Sequence, residues 1–254
     1  MFDLNFAKDS FNQILAATPL TLIVALVATI IGLGLAILVV IAREKRIPVL
    51  SQFLAILVSF IRGTPILVQL YVVYYGLPQL LVLMNEWGWN TNPNGLLAII
   101  IAFSAYGLNA MANLSESIRA AYHSVDFGQY EAALSIGMTP FRAMTQIVIP
   151  QLIINLIPNF TNIFLDLIKD TALIYNIGLV EIMGQANIVS SIGFKYLETY
   201  TDALIIYIII CWIFAQLFRL VEGKLRQRYR LVHYFARSKS TESRFNNWNT
   251  IRKT

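Results

Sequence analysis

SFNQILAATPLTLIVALVATIIGLGLAILVVIA, residues 10–42, contains no Asp, Glu, Lys or Arg. A helix rises about 1.5 Å per residue, so roughly 20 apolar residues cross the hydrocarbon of a bilayer. This stretch exceeds that length, and REKR, residues 43–46, follows it at once, with Arg43, Lys45 and Arg46 as its positive flank. Lys and Arg collect on the cytoplasmic side of short loops, so the first span is expected to exit into the cytoplasm and the N-terminus to lie outside. The residues before it include Asp3, Lys8 and Asp9 and lack the basic n-region and small-residue cleavage site of a signal peptide. The segment is therefore read as a retained span.

Working outward, the pattern recurs. Only 13% of the residues are charged and 57% are apolar, against about 25% charged in soluble domains. Five spans are expected, over residues 17–42, 47–84, 96–119, 147–173 and 200–221, giving an all-α integral membrane protein with a transmembrane domain over residues 1–221. Gly63 and Pro65 interrupt the second, so a kink or short unwinding is expected there, packed against other helices rather than lipid. Residues 222–254 carry Lys224, Arg226, Arg228, Arg230, Arg237, Lys239, Arg244, Arg252 and Lys253 and form a basic cytoplasmic tail, partly irregular or resting on anionic headgroups of the membrane lipid. An odd number of spans puts both basic flanks on one side. Asn85–Gly95 (NEWGWNTNPNG) is then an outer turn, residues 187–199 a second outer segment, and residues 120–146 a long cytoplasmic loop. The net charge of +5 follows this topology and does not point to nucleic acid.

The loop reads HSVDFGQYEAALSIGMTPFRAMTQIVIPQ. Gly128 is expected to break the chain before a short helix over residues 129–138. Thr139 is expected as N-cap and Pro140 as first residue of the next helix. Ala132, Ala133 and Gly137 would let another protein approach closely, with Glu131 near the positive end of the helix dipole.

Glu131-Ala132-Ala133, then Gly137, then Ile147 and Pro150, resembles the EAA motif of ABC importer permeases. Three further blocks resemble the polar amino acid branch of that family in the same order: FIRGTPILVQLYVVYYGLPQ (residues 60–79), SESIRAAYHSVDFGQYEAA (115–133) and LIKDTALIYNIG (167–178). The resemblance covers about residues 18–221. It implies the type I permease fold and a cytoplasmic coupling helix built on Glu131, Ala132, Ala133 and Gly137. It also implies two separate ATP-binding subunits carrying ATP and Mg, an extracellular substrate-binding protein and a second permease subunit, a homodimer being simplest and a heterodimer the alternative. The location implied is the plasma membrane of a prokaryote. Ala120 and Ala121 stand where many members have two glycines, and Ile163 where many have an acid. Both departures are similar to the cystine-type subgroup, so cystine or another polar or neutral amino acid is the expected substrate.

A charge at the bilayer centre costs at least about 2.5 kcal/mol on insertion scales, so each intramembrane charge needs a reason. Asp166 and Lys169 share a helix face, as do Asp166 and Asp170. They are read either as an internal ion pair or as a polar lining that meets the substrate. Asn159 and Asn162, about one turn from Asp166, and Tyr106 and Asn109 on the third span, are candidate pathway residues, with helix–helix hydrogen bonding as the alternative. Lys169 and Asp170 are read as structural, as are Glu116 and Arg119, three apart near the mouth of the loop. Arg62 beside the break either steadies freed carbonyls or attracts a carboxylate.

No Gly-rich run ends in Gly-Lys-Ser or Gly-Lys-Thr, so the chain itself is not expected to hold ATP. His123 and His233 lack ligand spacing and a Cys partner, so no metal is expected. Cys211 lies in an apolar run and reads as a core or lipid-facing residue. A stand-alone secondary transporter or channel would usually show internal repeats, and none is found. An intramembrane enzyme would need a nucleophile and base together, and Ser104 and His123 are not so placed.

Overall fold

The computed structural model describes the backbone of residues 2–92, 95 and 97–251, and side chains as far as residue 227. Among the described residues there are helices and turns and no strand. The chain order is α1 (Leu4–Leu15), α2 (Thr18–Glu44), α3 (Leu50–Arg62), α4 (Ile66–Glu86), α5 (Ala98–His123), α6 (Phe127–Ser135), α7 (Pro140–Ala143), α8 (Ile149–Asp170), α9 (Ile182–Gly193) and α10 (Tyr196–Ile251). A π-turn, Met144–Val148, joins α7 to α8, and a 3₁₀ segment, Thr171–Ile177, prolongs α8. Five helical stretches are long and apolar enough to cross a bilayer: Leu4–Glu44, Ile66–Glu86, Ala98–His123, Pro140–Ile177 and Tyr196–Gln227.

The centre of the bundle is the α2–α5 pair, built from small residues. Ala25, Ala28 and Ala36 on α2 and Ala102, Ala105 and Ala110 on α5 are all buried. A Cβ added at Gly32 would come within 2.4 Å of the Ala110 Cβ, and one at Gly107 within 3.0 Å of Ile31 Cγ2. Helices in lipid gain little from hiding apolar surface, because the lipid is apolar too; close backbone approach supplies the dispersion contact instead. The pair is locked at one end by charge. Arg43 pairs with Glu116, Arg119 Nε lies 2.8 Å from Glu44 Oε1, Arg119 also lies 3.6 Å from Glu116, and His123 Nε2 is 3.1 Å from Glu44. The Glu116–Arg119 pair read from spacing is thus part of a larger cluster that includes Arg43 and Glu44 at the C-terminal end of α2.

Helix α10 closes the bundle over α8 through edge-to-face rings, Phe164 on Phe214 at 5.1 Å and Phe160 on Phe218 at 5.6 Å. At the end opposite the charge cluster, α1 and α9 lie against the start of α10. The Asp3 amide donates to Glu198 at 3.0 Å, Asp3 pairs with Lys195, and Ser10 donates to Asp202. Glu181, fully buried, caps α9. Its carboxylate accepts from the Gly184 and Met183 amides at 2.8 and 2.9 Å and from the Tyr207 hydroxyl at 2.9 Å.

Four expectations change. The second span is two helices, because Pro65 has no N–H to continue α3 and restricts Thr64 before it; only α4 is long enough to cross. The first span is preceded by α1, whose N-cap Asp3 accepts from Asn5 and Phe6. The segment over residues 187–199 is largely helical, in α9 and the start of α10. The tail backbone continues α10 as helix to Ile251, since no Gly or Pro follows Gly223 to break it. The tail side chains from Arg228 on, positions 93, 94 and 96, and Arg252 and Lys253 lie outside what is described.

Candidate functional site

Helix α8 carries the most unusual surface for an apolar environment. Ile157, Phe164, Leu167 and Ile168 are buried against the bundle. On the other side Asn155, Asn159, Asn162, Asp166 and Lys169 are all exposed. Their spacings of four, three, four and three residues form one straight stripe along the helix. Lys169 Nζ lies 2.7 Å from Asp166 Oδ1, and the two side chains remain 56% and 63% exposed. The ion pair therefore sits within the stripe and faces outward, rather than fixing α8 to a neighbour. Asp170 is half-buried, and its backbone carbonyl accepts from the Tyr106 hydroxyl at 2.6 Å. Tyr106, fully buried, joins α5 to the end of α8, so its polar atom is engaged inside the chain.

Asn109 is engaged as well. Its Nδ2 donates to Gln69 Oε1 at 3.0 Å, and Asn113 Nδ2 donates to Asn109 Oδ1 at 3.0 Å. Gln69 in turn donates from Nε2 to the Ile61 carbonyl at 2.7 Å and to Thr64 O and Oγ1, both at 2.9 Å. The carbonyls of Ile61 and Thr64 at the α3–α4 break thus accept from Gln69, and the Thr64 hydroxyl serves the Phe60 carbonyl at 3.1 Å and the Ile61 carbonyl at 3.2 Å. Arg62, expected as one way to steady them, ends α3 exposed. Gln69 was not singled out in the sequence, because its partners lie five, eight and 40 residues away and on two other elements.

The loop helix also departs from expectation. Asp126 is the N-cap of α6, its Oδ1 accepting from the Gly128 amide at 2.9 Å, so Gly128 lies within the helix. The helix ends at Ser135. Gly137, at φ +87, follows it in a left-handed turn, with the Gly137 amide donating to Leu134 and the Met138 amide to Ala133. This is a Schellman stop, in which a residue without Cβ is favoured. Gly137 therefore does not share a helix face with Ala133, and Ala133 is itself buried. Glu131 and Ala132 are exposed, next to large apolar side chains that spacing did not single out, Ile136 at 80% and Phe141 at 77% exposure. Thr139 and Pro140 begin α7 as read, with Thr139 Oγ1 accepting from the Arg142 amide. Two contacts tie this loop to α8: Gln151 donates to Gln129 Oε1 at 2.8 Å, and Asn155 to Ser124 Oγ at 2.8 Å. The foot of the α8 stripe is thus bonded to α6 through Gln129 and to the end of α5 through Ser124. Among the described residues no group of three His, Cys, Asp or Glu side chains could hold a metal ion.

Known proteins share this architecture over nearly its whole length. The chain is similar to the Probable amino-acid permease protein YxeN of Bacillus subtilis (strain 168), 39% identical over 228 residues that cover 90% of this chain and 98% of that one. It is 33% identical to the L-cystine transport system permease protein TcyL of the same organism, over 92% of this chain and 96% of that one. Among solved structures, an amino acid ABC transporter solved with histidines matches at TM-score 0.75 and 30% identity, covering 88% of this chain and 99% of its own. The MetNI methionine ABC transporter, 18% identical with a TM-score of 0.57, shares the fold. A family model matches residues 28–227, and the chain belongs to that family, the inner membrane components of binding-protein-dependent transport systems.

Proposed function

We propose that the chain is the permease subunit of an ATP-driven importer for an amino acid, with cystine or another polar, neutral amino acid as its cargo. The observation that carries this reading is the exposed polar stripe of α8. A row of amides and charges on a membrane-crossing helix needs water or protein, since lipid gives it no partner. In one copy the stripe faces outward, so a second permease subunit, in the simplest case an identical chain, faces it and the two enclose the path. Asp166, Asn162 and Asn159 then line it, while Tyr106 and Asn109 support it from behind. The relatives named for amino acids and L-cystine support the cargo class, and Ile163, uncharged among these polar residues, suits a cargo without a cationic side chain.

The basic flanks support a reading with the Arg43–Arg46 end and the tail in the cytoplasm, and the Asp3 end outside, where an extracellular binding protein delivers the cargo. Two ATPase subunits, which bind ATP and Mg, drive the cycle from below. The exposed side of α6, with Glu131, Ala132 and the flanking Ile136 and Phe141, is the surface that docks into them, and the bond from Gln151 to Gln129 carries its movement to α8. Ala132→Trp tests docking better than a change at Gly137, where the left-handed backbone would itself be strained. Ala132→Trp and Glu131→Lys are expected to lose the ATPase in a pull-down while the permease still accumulates in the membrane. Normal ATPase binding and wild-type uptake in both variants would remove α6 from the docking role.

A further inference from the structure

The α3–α4 break sets a problem that two side chains share: the Thr64 hydroxyl lies 3.1 Å from the Phe60 carbonyl and 3.2 Å from the Ile61 carbonyl, and Gln69 meets the oxygens of Ile61 and Thr64 from the other side. Pro65 offers no N–H, so helical bonding stops, and the Thr64 amide reaches the Ile61 carbonyl only at 3.4 Å. A carbonyl left bare at membrane depth costs several kcal/mol. Gln69 Nε2 meets three oxygens at once, Ile61 O, Thr64 O and Thr64 Oγ1, while its Oε1 accepts from Asn109. The amide orientation is thereby fixed, and Asn113 behind Asn109 extends the row along α5. Beside it lies a cavity of about 240 Å³ walled largely by apolar side chains, among them Leu57, Phe60, Val68, Val72 and Leu108. Such a wall offers water few partners in place of the amide.

From this arrangement we infer that Gln69 is a positioning residue for transport, the latch of a hinge at Gly63–Pro65 that ties the angle between α3 and α4 to α5. Side-chain bonds close the break, so they can be released and remade without unwinding either helix, and the flanking helix ends can absorb the change in backbone angle. The inference rests on the importer reading for its role in transport, and on the geometry alone for the latch.

The test places a Gly63→Cys reporter in a Cys211→Ser background and adds Gln69→Leu, Gln69→Glu or Thr64→Val. Both Gln69 variants should speed thiol labelling of the reporter. In the transporter without the reporter they should lower the maximal uptake rate about tenfold, the equivalent of about 1.4 kcal/mol, with the half-saturating substrate concentration nearly unchanged. Thr64→Val removes one partner of Gln69 and the hydroxyl's own bonds to the Phe60 and Ile61 carbonyls, and should act in the same direction by about two- to threefold. Should Gln69→Leu fail to accumulate, Thr64→Val alone decides. Unchanged labelling overturns the latch. A raised half-saturating concentration at an unchanged maximal rate makes Gln69 a substrate contact and overturns the positioning role. Labelling needs no substrate, so a wild type that imports no amino acid sinks the importer reading while the latch is still judged on its own measurement.

Discussion

Helices α5 and α8 both cross the bundle and both carry polar residues, yet they use them in opposite ways. On α5 the polar groups turn inward: Tyr106 reaches the Asp170 carbonyl, Asn109 reaches Gln69, and Asn113 reaches Asn109. On α8 Asn159, Asn162, Asp166 and Lys169 turn outward. The first helix satisfies these polar groups against its own chain, while the second leaves its asparagines and its Asp166–Lys169 pair exposed on the outer side of the bundle. Substitutions on α5 should therefore damage the fold, and substitutions on the α8 stripe should damage transport alone.

The largest expected effect is at the α2–α5 seam. Gly32→Leu drives a side chain into Ala110 and the Met111 backbone and should cost roughly 3 kcal/mol, read as loss of membrane-inserted protein. Retained accumulation and melting temperature would show that the seam can open and that α5 is no scaffold. Next comes Glu181→Ala, which strands two amides and the Tyr207 hydroxyl, at about 1–3 kcal/mol, measured by thermal melting in detergent. Tyr106→Phe should cost about 1 kcal/mol by the same measurement, since it frees one carbonyl at the α5–α8 joint. Asp166→Asn breaks a pair that is mostly exposed, so its melting shift should be under about 0.5 kcal/mol, while uptake falls and basal ATP hydrolysis stays. A fold defect there would erase the contrast between the two helices.

The smallest effect concerns acid. Lys195, bonded to Asp3, holds that carboxyl below the usual carboxylate range. A depressed acid stabilises the fold while it is ionised, so the clasp of α1 is complete at neutral pH and is lost as the pH falls through the lowered pKa. Melting in acid should therefore fall slightly more for the wild type than for Asp3→Asn. Equal acid sensitivity of the two would show that the clasp contributes nothing.

The crossings were legible because charge-free runs such as residues 10–42 and 204–217 have only one solvent that suits them. The break was legible too, from Pro65 and Gly63, but not what closes it: Gln69 is an ordinary residue whose meaning arises from oxygens of Ile61 and Thr64 at the break and from the Asn109 amide on α5. Helix α9 was hidden by its length, too short to register as a span and too apolar to look like a surface helix. Gly137 misled for a different reason. Four-residue spacing suggests a shared face only while the helix continues, and the left-handed turn at that glycine is where it stops. The α8 stripe could be read residue by residue, but the outward direction of its charges depends on which side Phe164, Leu167 and Ile168 bury.

The charge cluster that locks α2 to α5 also sets an order of events during synthesis. Glu44 and Arg119 are 75 positions apart, and at about 5–20 residues per second a ribosome needs about 4–15 s to make the second after the first. Through that interval Arg43 and Glu44 are in place while Glu116 and Arg119 have yet to be made. Helices α3 and α4 are thus delivered to the membrane beside an α2 that has not met its principal partner, and the small-residue seam forms only when α5 arrives behind them. A nascent chain halted before residue 116 should accordingly leave α2 mobile and open to chaperones and proteases, and one halted after α5 has emerged should not.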